Sequence, residues 1–262
     1  MMKYDLSMHR LSHIFITHLH GDHYLGLMGL LFTLHLNRRT DDLHLYSHKG
    51  LDEIITTQLR YSKSALNFKV VFHTLTPGKQ EIIFDNKHLT VETIPLSHKL
   101  DCSGFLIREK PKPRRIDKDR LPFGLLVQQI LDLKNGGDVV DTETGKVLYR
   151  NEDITLPARA SRSYAYCSDT QYDENLVPKL MDIDVLYHEA TFISEDESKA
   201  IETKHSTAKQ AALIAQQAKV KKLLIGHFSA RYKDLSTLHS EATAIFPNTY
   251  LAQEGETFVI QE

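Results

Sequence analysis

Thr17-His18-Leu19-His20-Gly21-Asp22-His23 stands between two runs of different period. Before it, Ile14-Phe15-Ile16-Thr17 is β-branched and aromatic, as a strand is; after it, Leu27, Leu30, Leu31 and Leu34 recur at three and four, as one face of a helix does. The stretch is therefore a strand-to-helix corner. In extended backbone, residues two apart project to the same side, so His18 and His20 reach one point while Leu19 turns to the core. Gly21 permits the turn. Asp22 and His23, in the first helical turn, bring an oxygen and a nitrogen to a second point close by. A carboxylate near a helix N-terminus and beside cations stays ionised, as a metal ligand must. Metal binding is the reading this corner supports.

A catalytic metal site needs three or more protein ligands and an open position, so further ligands should come from later strand ends. His98 follows an apolar run from Leu89 to Pro95, Asp169 follows one from Tyr164 to Ser168, and His227 follows one from Lys222 to Gly226. Each lies where an α/β layer gathers its loops at one rim. Asp169, with two oxygens, suits a bridge between two ions. The chain has 15 histidines and no tryptophan. His9, His13, His35, His44, His48, His73, His88 and His239 belong to no ligand-like constellation and read as structural. His188, beside Glu189, reads as structural or as lying behind the ligands.

At 262 residues, 41% hydrophobic and 25% charged, the chain has the proportions of a globular protein with a substantial core; disorder, collagen and coiled coil are excluded. Lysine plus arginine (32) nearly balances aspartate plus glutamate (34), so the net charge of −2 gives no global reason to bind DNA or an anionic membrane. Any polyanion site must be local. The longest apolar stretch, Leu25 to Leu34, is interrupted by Gly29 and Thr33 and is far short of the roughly 18 residues that span a bilayer. A secretory signal is missing, and Cys102 and Cys167 read as two buried thiols in a reducing cytoplasm.

Strand candidates follow in quick succession at His44 to Tyr46, Lys69 to Phe72, Glu81 to Phe84, Leu89 to Ile94 and Gly104 to Arg108, which reads as antiparallel neighbours. In the second half strands alternate with helices: Tyr164 to Cys167, a helix about Glu174 to Met181, Asp184 to Tyr187, a helix about Ala208 to Ala218 capped by Ser206 or Thr207, Lys222 to Ile225, a further helix, and Thr249 to Leu251. The expectation is an α/β fold of four layers, helices covering two sheets. Between Arg108 and Ser161 the periodicity fails. Pro111, Pro113, Pro122 and Pro157 punctuate it, and from Arg108 to Arg120 seven cations face three acids. It reads as an inserted basic arm in a single domain over 1–262, with one short helical piece near Leu125 to Leu133.

The His18 to His23 cluster resembles that of the metallo-β-lactamase superfamily. Later motifs resemble ribonuclease Z, the transfer-RNA 3′-processing endonuclease family. They are Ile94-Pro95-Leu96-Ser97-His98 with Gly104-Phe105; Tyr166-Cys167-Ser168-Asp169-Thr170; His188-Glu189-Ala190-Thr191-Phe192; His205-Ser206-Thr207-Ala208; and Gly226-His227-Phe228-Ser229-Ala230-Arg231-Tyr232. The resemblance implies an αββα sandwich with two zinc ions per chain, manganese or iron being compatible with the same donors. It assigns His18, His20 and His98 to one ion, Asp22, His23 and His227 to the other, and Asp169 to both. Such a pair lowers the pKa of a shared water and clamps the oxygens of an in-line displacement at phosphorus.

By the same resemblance, Asp22 takes the second proton of that water, and His205, oriented by Glu189, protonates the departing ribose 3′-oxygen. The plainer alternative for His205 is a helix N-terminal residue that merely caps. Arg231 could steady a phosphate or pair with a structural carboxylate. The arm, with Lys110, Lys112, Arg114 and Arg115, is implied to grip the folded part of precursor transfer RNA through phosphates. The expected activity is cleavage after the discriminator position, leaving a 3′-hydroxyl, by a homodimer whose partner offers the arm in trans.

Compared with that family, Met1-Met2-Lys3-Tyr4-Asp5-Leu6 looks like the middle or end of the helix that leads into the metal cluster. The first two strands, an acidic turn behind the ligands and the loop that senses the RNA 3′ end are therefore expected to be missing, leaving one sheet with an unpaired edge. Two other readings stand beside the nuclease: a hydrolase of a small ester or cyclic phosphodiester on the same fold, and an inactive truncated fragment that binds RNA without turnover.

Overall fold

The structure is a computed structural model and describes residues 4 and 6–261. The helix expected at Met1 to Leu6 falls mostly on residues outside this set. Strand β1 (His13–Phe15) leads through an extended loop into α1 (Gly21–Tyr24) and α2 (Gly26–Leu36), followed by β2 (Leu43–Ser47), α3 (Leu51–Tyr61) and β3 (Val70–Thr74). These three strands form one sheet in the order β1-β2-β3, both pairings parallel. The antiparallel expectation for the first two pairs is therefore corrected. Both connections are helical crossovers, and α3 is amphipathic, burying Leu51 and Ile55 while Asp52 and Glu53 occupy its first turn.

The second sheet begins with antiparallel β4 (Ile82–Asp85), β5 (Leu89–Leu96) and β6 (Cys102–Glu109). After the arm, with β7 (Arg115–Ile116), α4 (Val127–Lys134), β8 (Val139–Val140), β9 (Val147–Tyr149), α5 (Asn151–Ile154) and β10 (Thr155–Leu156), the sheet resumes at β11 (Ser163–Cys167). It continues through β12 (Val185–Glu189), α6 (Glu197–Thr203), α7 (Ala208–Gln217), β13 (Lys222–Gly226), α8 (Ser236–Thr243) and β14 (Thr249–Leu251). The seven strands lie in the order β14-β13-β12-β11-β6-β5-β4, parallel from β14 to β11 and antiparallel beyond.

Alternation along each strand decides what every layer buries. One face of the small sheet, with Ile16, Leu43 and Leu45, packs against Leu27, Leu31 and Leu34 of α2 and against α3. The opposite face presents Phe15 and Tyr46 to Val91 and Phe105 of the large sheet. On the far side, Ala208, Ala211, Ala212 and Ala215 let α7 lie close on β11, β12 and β13. This is the expected αββα sandwich. Thr207, rather than Ser206, caps α7: its Oγ1 accepts from the Gln210 amide at 3.2 Å, and the Gln210 side chain accepts from the Thr207 amide at 2.9 Å. The helix expected from Glu174 to Met181 is a 3₁₀ segment, Glu174–Lys179, because Pro178 lies inside it and cannot continue an α-helical ladder.

The arm has more order than its sequence suggests. Leu133, Val139 and Ile154 form a small core with Ile116 and Leu125. Asn151 ties it together, donating to the carbonyls of Leu133 at 2.7 Å and Gly137 at 2.9 Å. At its root, Glu109 receives both the Nε and Nη2 groups of Arg162, a fork that clamps the two strands entering and leaving the arm.

Candidate metal centre and acid pair

The ligand-type residues are all delivered by strand ends at one rim. His18 and His20 follow β1, His98 follows β5, Asp169 follows β11, Glu189 closes β12 and His227 follows β13. Thr17 anchors the corner, its carbonyl accepting from the Ser103 amide at 3.0 Å and so joining the two sheets. Asp22 and His23 emerge from α1, as the corner geometry requires. Gly226 lets the β13 end pass Tyr187, whose hydroxyl would lie 2.4 Å from any added Cβ.

Three ring nitrogens converge at the first position. His18 Nε2 is 2.9 Å from His20 Nδ1, and His98 Nε2 is 3.2 Å from the same atom. Two of the three rings are fixed from behind: His98 Nδ1 donates to the Lys204 carbonyl at 2.9 Å, and His18 Nδ1 meets Thr17 Oγ1 at 3.1 Å. With Nδ1 carrying the proton, His98 turns a lone pair inward. Burial, reinforced by His23, pushes His18 down to about 3, and burial lowers His98 as well. Both rings are neutral near pH 7.

Asp169, 3% exposed, divides its carboxylate. Its Oδ2 lies 3.6 Å from His18 Nε2 and 3.8 Å from His98 Nε2, whereas its Oδ1 lies 3.2 Å from His227 Nε2 and 3.4 Å from His23 Nε2. Burial alone would raise its pKa; the close approach of His23 and the fields of His227, His23 and His18 outweigh this and hold it well below the usual carboxylate range. Asp22 closes the second group, 3.4 Å from His23 Nε2, and remains mostly exposed. Two donor sets thus share one carboxylate: His18, His20, His98 and Asp169, and beside them Asp22, His23 and His227. Buried His23 Nε2 has no hydrogen-bond partner. Converging lone pairs, an orphaned buried nitrogen and a split carboxylate fit a divalent metal with imidazole and oxygen ligands. Burial would lower His23, but the nearby carboxylates of Asp169 and Asp22 raise it, so binding an ion there would displace a proton.

Behind the second set, Glu189 is completely buried and accepts four hydrogen bonds. The Thr170 amide (2.7 Å) and His205 Nδ1 (2.8 Å) reach Oε1; the Thr191 hydroxyl (2.6 Å) and amide (3.3 Å) reach Oε2. Burial depresses His205, but the bond to Glu189 and its charge prevail and raise it above 6.5. His205 is not the helix cap; Thr207 fills that role. His188 is buried behind the strand, its Nδ1 donating to the Glu189 carbonyl at 2.7 Å.

Arg231 lies over the Phe192 ring at 5.1 Å, with Nε on Ser229 Oγ at 3.0 Å and Nη1 3.7 Å from Asp196. In the arm, Lys110 pairs with Asp85, Lys112 with Glu109 at 2.7 Å, Arg114 donates to Thr155 at 2.8 Å and Arg115 to the Pro157 carbonyl at 3.1 Å. Sequence reading missed Thr170, Thr191 and Lys204 as the groups that hold the site. Thr170 and Thr191 lie inside motifs that were legible, whereas nothing local marks the Lys204 carbonyl.

Residues 3–130 match the family described as Beta-lactamase superfamily domain. The chain is 47% identical over 253 residues to Ribonuclease Z of Phocaeicola vulgatus, covering 96% of this chain and 81% of that one. Ribonuclease Z of Bacteroides thetaiotaomicron is also 47% identical, with 97% and 80% covered. The chain belongs to the ribonuclease Z family. Among solved structures, human tRNase Z, short form, superposes with a TM-score of 0.69 at 25% identity, covering all of this chain and 83% of that one. The metallo-β-lactamase fold protein YhfI from Bacillus subtilis shares the fold at a TM-score of 0.63 and 16% identity. Within the ribonuclease Z family frame, the split Asp169 carboxylate and the Glu189–His205 pair are the features on which chemistry can be built.

Proposed function

We propose that this chain is an endoribonuclease that removes the 3′ trailer of precursor transfer RNA by phosphodiester hydrolysis, leaving a 3′-hydroxyl on the discriminator nucleotide. The observation that carries the reading is Asp169 turning one oxygen to each histidine set, with the Glu189–His205 pair beside the second set. His18, His20 and His98 would hold one divalent ion and Asp22, His23 and His227 a second, with Asp169 within reach of both; zinc, manganese and iron suit these donors. When bound, such ions would lower the pKa of an attacking water and neutralise charge developing on the phosphate.

The protein's own groups do the rest. Asp22, exposed at the mouth, accepts a proton from the attacking water. His205 holds a proton at Nε2 while Nδ1 is tied to Glu189, and delivers it to the leaving ribose 3′-oxygen, which would otherwise depart as an alkoxide. Binding is carried by the arm. Lys112, Arg114, Arg115, Lys118, Lys134 and Arg159 line a concavity of 660 Å³ whose local charge supplies what the net charge of the chain does not. Lys110, paired with Asp85 outside this concavity, and Arg231, stacked on Phe192, are further phosphate contacts in this reading. No helix among the described residues is long and apolar enough to cross a membrane. We place the enzyme in the cytoplasm, as a homodimer that presents each arm to the other subunit's cleft.

Incubation with a 3′-extended precursor transfer RNA, followed by mapping of both product ends, tests the activity. A single cut after the discriminator nucleotide that disappears with chelator is expected; no cut, or one that survives chelation, overturns the proposal. Elemental analysis checks for two zinc ions per chain, and light scattering checks for the dimer.

A further inference from the structure

We infer that Thr191 is a positioning residue: its hydroxyl selects the tautomer of His227, so that Nε2 rather than Nδ1 faces the metal pocket, and it joins that ligand to the Glu189–His205 pair. The inference rests on the metal-binding reading of His227. Thr191 is 6% exposed and lies two residues beyond the end of β12. Four groups crowd its Oγ1: Glu189 Oε2 at 2.6 Å, His227 Nδ1 at 2.8 Å, the His227 carbonyl at 3.0 Å and His205 Nδ1 at 3.4 Å.

A hydroxyl has one proton to give. Among the acceptors in reach the carboxylate oxygen is both charged and nearest, so the proton goes to Glu189. His205 Nδ1 already donates to the other oxygen of the same carboxylate at 2.8 Å and is not a competitor. Only the lone pairs of Thr191 Oγ1 remain for His227. A bare Nδ1 would place lone pair against lone pair at 2.8 Å, so Nδ1 carries the proton and donates. A neutral imidazole protonated at Nδ1 has its lone pair on Nε2. That atom is the one facing Asp169 Oδ1 at 3.2 Å.

The backbone shows the same constraint. His227 has φ 58°, the left-handed region that non-glycine residues rarely occupy. The fold holds it there through Thr191 and its neighbours: the Ala190 amide donates to the Gly226 carbonyl at 2.8 Å, and the Ser229 amide to the Thr191 carbonyl at 3.1 Å. His98 obtains the same inward Nε2 from a backbone carbonyl, that of Lys204. His227 obtains it from a side chain, and can therefore be separated from it by substitution.

Thr191→Val keeps shape and removes the hydroxyl; Thr191→Ser keeps the hydroxyl. Long-range proton–nitrogen correlation spectra of the metal-free protein read the His227 tautomer directly. A proton on Nδ1 is expected in wild type and Thr191→Ser, and its loss, leaving only the proton on Nε2 toward Asp169, in Thr191→Val. Titration with zinc ions against a chromophoric chelator should show the weaker of two bound ions loosened about 10–100-fold in Thr191→Val and restored in Thr191→Ser. An Nε2–H tautomer in wild type, or wild-type tautomer and affinity in Thr191→Val, overturns the inference. A wild-type protein that shows the Nδ1–H form yet binds no zinc overturns instead the metal reading beneath it.

Discussion

At the residue scale, the assignment of His205 as proton donor makes a claim that geometry alone separates from a structural role. An alkoxide leaving group needs a proton, whereas a nitrophenolate does not. His205→Ala should therefore lower kcat on precursor transfer RNA by about 10²–10⁴-fold, and should lower it far less on bis(p-nitrophenyl) phosphate. Steady-state rates on the two substrates, with metal content measured on the same sample, check this. Equal losses on both would mean that His205 holds the site together instead. Glu189→Gln should follow the same pattern more mildly, since the amide still accepts from Thr191 but no longer raises His205.

At the element scale, two features of the sheets carry measurable consequences. His13 on β1, His44 on β2 and His73 on β3 form a row on the inter-sheet face, His13 stacked on His44 at 4.8 Å, and His44 Nδ1 2.9 Å from His73 Nε2. Burial first, then the neighbouring histidines, lowers His13 and His73 below 6.5, and no carboxylate counters this. A histidine with a lowered folded pKa contributes stability above its unfolded value and loses it on acidification, because the unfolded chain takes up the proton first. Urea midpoints should fall as pH drops below 6.5, and the fall should be shallower in a His13→Gln, His73→Gln double variant than in wild type. Parallel curves for the two proteins would refute it. The second feature is the β6–β11 contact. A Cβ at Gly104 would stand 2.6 Å from the Tyr166 carbonyl oxygen, a backbone atom that cannot swing away. Gly104→Ala should cost about 1–3 kcal/mol, visible in equilibrium denaturation.

At the scale of the whole molecule, the body of the fold holds the donor sets and the Glu189–His205 pair while the arm holds a basic surface, so on the proposed reading binding and chemistry can be perturbed apart. Replacing Arg114 and Arg115 with glutamine should raise KM for precursor transfer RNA. It should also flatten the dependence of log kcat/KM on log salt by roughly one for each phosphate that the arm no longer neutralises. A salt series on wild type and variant decides the matter, and an unchanged slope would remove the arm from RNA binding. The root clamp of Glu109 and Arg162 lies outside this substitution, so the arm keeps its attachment.

How much of this was legible in the chain follows from the range of each interaction. The corner from Thr17 to His23 can be read because strand and helix periods place near neighbours, and four ligand-type side chains fall within one such span. His98, Asp169 and His227 can be read as positions past apolar runs, since strand ends are local events. The αββα layering follows from alternation of apolar residues for the same reason. The parallel order β1-β2-β3 could not be read, nor could the small core that orders the arm around Asn151, because pairing partners are chosen by three-dimensional competition rather than by local period. Tertiary structure alone decided which oxygen of Asp169 faces which histidines, and that one hydroxyl, Thr191, stands between His227 and Glu189. Those groups sit on strand ends that are tens to more than a hundred residues apart in the chain, and hydrogen-bond geometry at a few tenths of an ångström exists only once the sheets have packed.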